Sequence, residues 1–124
     1  MKAHEHVILE IARERERQIT VEGWTIAHDD EGHDRGEMAR AAACYAYAST
    51  VSDDVRALMQ EDANHHRQGH TAQQMVVVGR MWPWDWSWWK PKDRRRDLVR
   101  AAALIVAEIE RLDRAAAVAK SPAA

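Results

Sequence analysis

The sequence predicts an all-α protein: a small bundle of three main helices, a short fourth helix, and an irregular tryptophan- and proline-rich segment packed over it. Three observations carry this expectation. Apolar residues recur at helical spacing in the first and last parts of the chain. An alanine-rich run favours helix in between. Two prolines, Pro83 and Pro91, forbid a regular helix through a tryptophan cluster.

The first helix is expected from about His4 to Ile19, where Val7, Ile8, Ile11 and Ala12 recur at helical spacing. Gly23 ends it, and Trp24 anchors the following turn. His28 to Asp34 reads as a polar loop whose acids can cap the next helix. That second helix should span about Asp34 to Thr50, through the run from Met38 to Ala48. Ser52 and Asp53 read as the cap of a short helix from about Asp54 to Ala63. His65 to Thr71 reads as a loop, and Met75 to Val78 fits either a strand or a helix. Five of the six tryptophans lie between Met81 and Pro91. The third main helix follows, with Asp93 as its N-cap, and should run to about Ala117. Leu98, Ala102, Ile105, Ile109 and Leu112 alternate at four and three residues, which predicts the core-facing stripe.

At 124 residues the chain reads as one domain over 1–119, with 51–80 as a variable insert and 120–124 as a frayed tail. Hydrophobic residues make up 46% and charged residues 31%, which points to a globular rather than a disordered chain. Eighteen basic against twenty acidic residues leave a formal charge of −2, so no general nucleic-acid binding is expected. The lone Cys44 lies in the alanine-rich run and reads as a small buried apolar residue. The start of the chain shows no apolar signal core, and no stretch approaches the roughly 18 apolar residues a membrane span needs. A soluble, cytoplasmic protein without membrane partners is the expectation.

Three clusters could carry chemistry. The first is Trp24, His28, Asp29, Asp30, His33 and Glu37. Its imidazoles and carboxylates suit a ligand or a divalent metal, and equally the capping of a helix N-terminus. The second is the tryptophan segment. Trp84 and Trp88 could stack a base beside Lys90, Arg94 and Arg95, or the tryptophans could roof the bundle in a chain with no phenylalanine. The third is Glu10, Glu14, Glu108, Glu110 and Asp113, which could hold magnesium or form a solvated, salt-bridged face. His65, His66 and His70 read as surface histidines.

These residues carry a resemblance. Glu14-Arg15-Glu16-Arg17-Gln18, Glu22-Gly23-Trp24-Thr25, His28-Asp29-Asp30, Gly36-Glu37-Met38-Ala39, Trp82-Pro83-Trp84, Trp88-Trp89-Lys90-Pro91-Lys92 and Arg95-Arg96-Asp97-Leu98-Val99 together resemble a group of small phage and prophage proteins of undefined function. More distantly, Glu37 opening an alanine-rich helix is similar to the all-α MazG-like nucleotide pyrophosphohydrolases. That resemblance implies acidic pairs holding magnesium, although the position three after Glu37 is Arg40. Pro83-Trp84-Asp85 with Lys90, Lys92 and Arg94 faintly resembles the ryanodine-receptor repeat module, which implies a binding module.

The resulting expectation is a phage-type accessory protein without catalytic residues or a resident metal, in the host cytoplasm. It would bind a nucleotide-like small molecule or a host protein. The alternatives are a magnesium-dependent nucleotide pyrophosphohydrolase and a structural interaction protein. Trp24, His28, Asp30 and Arg95 are expected to line one cleft. The apolar surplus on the second and third helices predicts a homo-oligomer.

Overall fold

A computed structural model describes residues 1–120. Seven α-helices follow one another: α1 (Ala3–Thr20), α2 (Ile26–Gly32), α3 (Glu37–Ala48), α4 (Asp53–Asn64), α5 (Gly69–Gln74), α6 (Val76–Met81) and α7 (Arg94–Lys120). A single 3-10 turn, Trp86–Trp88, interrupts the link between α6 and α7. The fold is all-α, with no strand among the described residues. No described helix is long and apolar enough to cross a membrane.

The 27-residue α7 is the spine, about 40 Å long at the usual helical rise. Asp93 caps it, accepting from the Arg96 backbone N–H at 2.8 Å. α3 lies along one side in the opposite sense, with Tyr45 under Arg100 and the end of α3 held by Arg94. α1 packs along another side, and α2 touches α7 toward its far end.

Small residues decide the α3–α7 contact. Ala41, Ala42 and Ala48 of α3 share one buried core cluster with Ala101 and Ala107 of α7, where Met38 and Leu104 are the bulky aliphatics of the two helices. Alanine lets two helix backbones approach closely, so the contact selects the alanine line of α7 rather than its bulkiest line. The expected core stripe therefore faces outward. Leu98, Ile105, Ile109 and Leu112 are each about half exposed. α1 shows the same inversion: Val7 and Ile8 are exposed, while Glu14, Arg15 and Gln18 are its buried residues.

Other boundaries also differ from expectation. Most of the expected His28–Asp34 loop belongs to α2 (Ile26–Gly32), which Thr25 caps by accepting from the His28 N–H at 3.2 Å. The acids of that segment do not cap α3, which starts at Glu37 behind Gly36 at a positive φ of 81°. Ser52 caps α4 as expected, but α4 is as long as α3, at 12 residues each. Part of the expected 65–71 loop is α5, and the ambiguous Met75–Val78 stretch leads into α6. Residues 51–80 supply Met59, Ala63, Met75 and Val78 to the core. Lys120 ends α7, and the rest of the expected frayed tail lies outside the described residues.

Two buried carboxylates couple this fold to acid. Burial raises the Glu14 pKa, but hydrogen bonds from Arg17 and Arg96 outweigh it and hold the carboxyl below its ordinary 4.5. Burial likewise opposes, and bonds from Thr71 and Arg67 overcome, in holding Asp62 below 3.8. The unfolded chain thus takes up these protons at higher pH than the folded one. Their stabilisation is full above the ordinary values and is lost as pH falls through the folded ones. Urea titrations should show stability dropping steeply below about pH 4.5. Glu14→Gln should lower stability at neutral pH and make that acid limb shallower; an unchanged limb would contradict this account.

Candidate functional site: an aromatic cleft

The segment after α6 divides its tryptophans between core and surface. Trp89 is almost wholly buried, stacked on Tyr45 at 4.7 Å and edge-on to Trp82 at 4.8 Å. Trp82 donates its indole N–H to the Asp85 carbonyl at 3.2 Å, closing a tight loop. Asp85 in turn accepts from the Ser87 N–H at 2.9 Å and starts the 3-10 turn. This loop leaves Trp84 at the edge of the core and brings it with the exposed Trp88 beside Trp24.

There they meet the first cluster. Trp24 lies 5.0 Å from Trp84 and 5.9 Å from Trp88, centroid to centroid. His33 lies 4.9 Å from Trp84, and His28 packs edge-on to His33 at 4.6 Å. Trp24, His28, His33, Trp84, Asp85 and Trp88 line one open cleft of about 250 Å³. That volume suits a group the size of a nucleobase.

Behind the cleft, charge is fixed. Asp29 is fully buried, accepts from Arg15 at 3.2 Å and lies 3.4 Å from Nδ1 of His33. Arg15 also donates to Glu110 at 3.0 Å, which ties the α2 region to both α1 and α7. At the rim, the Ser87 hydrogen bonds hold Asp85 below the ordinary carboxylate range, so its carboxylate is ionised at neutral pH. Lys90 sits 5.1 Å above the Trp88 ring and pairs with Glu22 at 3.4 Å. A wider depression of about 720 Å³ lies between α4 and residues 87–92, lined mainly by polar side chains such as Gln60, Asn64 and Lys92.

The expected single cleft of Trp24, His28, Asp30 and Arg95 does not form. Asp30 pairs with Arg114 near the end of α7, whereas Arg95 pairs with Glu10 near its start. Nineteen helical residues separate the two arginines, about 28 Å. Arg94 is also committed elsewhere, donating to the carbonyls of Ser49 and Val51 and to Asp53. His33 and Glu37 do not share a helix face, because α2 ends before His33 and α3 starts at Glu37. Asp85 is the cleft residue that sequence reasoning missed. Its signal was the Asp-x-Ser spacing, which lets a carboxylate cap its own turn.

Four of the five acids in the third cluster are engaged by arginines. Glu10 meets Arg95, Glu14 meets Arg17 and Arg96, Glu108 meets Arg111, and Glu110 meets Arg15. Glu14 and Glu108 are buried rather than solvated. Among the described residues, no three histidine, cysteine or acidic side chains converge as a metal site would require. Burial pushes the Cys44 thiol up to about 12, which makes it a poor nucleophile. No protein-family model, curated protein or solved structure matches the chain.

Proposed function

We propose that the protein is a non-catalytic binding module whose aromatic cleft takes a nucleotide-like small molecule. The observation that carries this reading is the convergence of Trp24, Trp84 and Trp88 with two histidines on one nucleobase-sized cleft. Indole faces stack a base, and each such contact is worth about 1–3 kcal/mol. Asp85 at the rim accepts from a base amino group. Lys90, beside Trp88, is the cation nearest to a phosphate carried by that base. The likeness to small phage and prophage proteins suits an accessory binding role.

Magnesium-dependent pyrophosphohydrolysis finds less support, because Glu14 and Glu108, two of the acids that could hold the metal, are bonded to arginines. Calorimetric titration with nucleosides and nucleoside monophosphates, with and without magnesium, tests the reading. Binding of at least one base is expected without magnesium, and Trp84→Ala should weaken it roughly tenfold or more. Circular dichroism and a denaturant midpoint check that the variant stays folded, since Trp84 packs against Trp24, His33 and Trp82. Absence of binding by every probe would refute the module. Magnesium-dependent pyrophosphate release, lost in Glu37→Gln, would establish the enzyme instead.

A further inference from the structure

We propose that the outer face of α7 pairs with a second copy of the chain, running antiparallel about a two-fold axis near Ile105. This inference is independent of the cleft.

The fold turns its apolar pattern inside out. Leu98, Ala102, Ile105, Ile109 and Leu112 alternate at four and three residues, the spacing of a coiled-coil seam. The single chain leaves the four large ones about half exposed. The residues that α1 buries are Glu14, Arg15 and Gln18. The apolar stripe also continues sideways: Val7 and Ile11 of α1 line a groove of about 260 Å³ with Leu98, Val99 and Arg95. Val7, Ile8, Leu98, Ile105, Ile109 and Leu112 are all exposed aliphatics on α1 and α7.

The stripe is complementary to its own reverse. Leu98 and Leu112 are equidistant from Ile105, and Ala102 and Ile109 straddle the same point. Arg95 and Asp113 lie 18 residues apart, five helical turns, so both stand on the same side of the stripe. In an antiparallel pair the Arg95 of each copy therefore faces the Asp113 of the other, twice per dimer. A parallel pair brings no such charges together. Arg95 keeps about 64% of its side chain exposed beside Glu10, so it can reach across the seam. An isologous pairing of this kind closes on itself and forms no filaments.

Sedimentation equilibrium of the full chain, from low to high micromolar, tests this. A reversible monomer–dimer equilibrium is expected. Ile105→Asp combined with Ile109→Asp should yield a monomer with unchanged helical circular dichroism, because both positions are solvent-exposed in the single chain. Asp113→Lys alone should raise the dimer dissociation constant several-fold, and adding Arg95→Glu should restore it. A wild-type monomer throughout the range would overturn the proposal. So would a dimer indifferent to the paired aspartates, or a charge swap that fails to restore pairing.

Discussion

Asp97→Ala is expected to destabilise the protein by about 3–5 kcal/mol, because it strands a buried guanidinium. Asp97 of α7 is fully buried and accepts from Arg56 of α4 at 2.8 Å. Its other oxygen accepts from the Lys92 backbone N–H at 2.8 Å, fixing the entry to α7. Arg56 also donates to the carbonyls of Ala48 and Lys92, at 2.7 and 3.0 Å. One ion pair thus ties together the end of α3, the first turn of α4 and the start of α7. Removing the carboxylate leaves a charge nine-tenths buried with no counter-ion. Chemical denaturation of Asp97→Ala, Arg56→Ala and the double variant checks this. The double variant should lose much less than the sum of the two singles. Additive losses would mean that the residues act separately.

Trp89→Ala should cost a similar amount, about 3–5 kcal/mol, as a large buried aromatic leaves a cavity. Trp89 is 1% exposed and joins the Tyr45 ring of α3 to the tryptophan segment. Its indole nitrogen is buried without a hydrogen-bond partner. Trp89→Phe keeps most of the ring contacts and removes that orphaned donor, so it should cost clearly less. Denaturant midpoints for the two variants decide the point. Equal losses would show that a phenyl ring recovers none of the packing that the indole provides.

Much of the fold was legible in the sequence. Ser52 and Asp93 mark true helix starts, because short polar side chains satisfy free N–H groups wherever a helix begins. The alanine run marks α3 because alanine loses no side-chain entropy in a helix. The phase of α7 was not legible. Hydrophobic periodicity weighs side chains by size, whereas the α3 contact selects small ones, and so Leu98, Ile105, Ile109 and Leu112 were read as core. α2 was hidden by its polarity, although Thr25 followed by Asp29 in the first turn carried the start signal.

The candidate site was legible in its parts but not in its extent. Trp24, His28, His33, Trp84 and Trp88 were singled out by residue type, and the fold gathers them around one cleft. Arg95, expected with them, lies near the start of α7 and pairs with Glu10. α2 instead carries Asp30 to Arg114, toward the opposite end of α7. Such long-range placement depends on turns whose direction local spacing does not encode.

The position of α7 in the chain has a consequence for synthesis. α1, α2 and α3 all rest on α7, and α7 is the last of the described helices to be made. While the earlier helices emerge, their native support does not yet exist. Ala41, Ala42 and Tyr45 lack the α7 part of their packing, and Glu14, Arg15 and Asp30 lack their α7 partners. Local contacts such as α4 with α5 can form early, since their residues are near neighbours. The packing of α1, α2 and α3 on the spine must wait until α7 has been made.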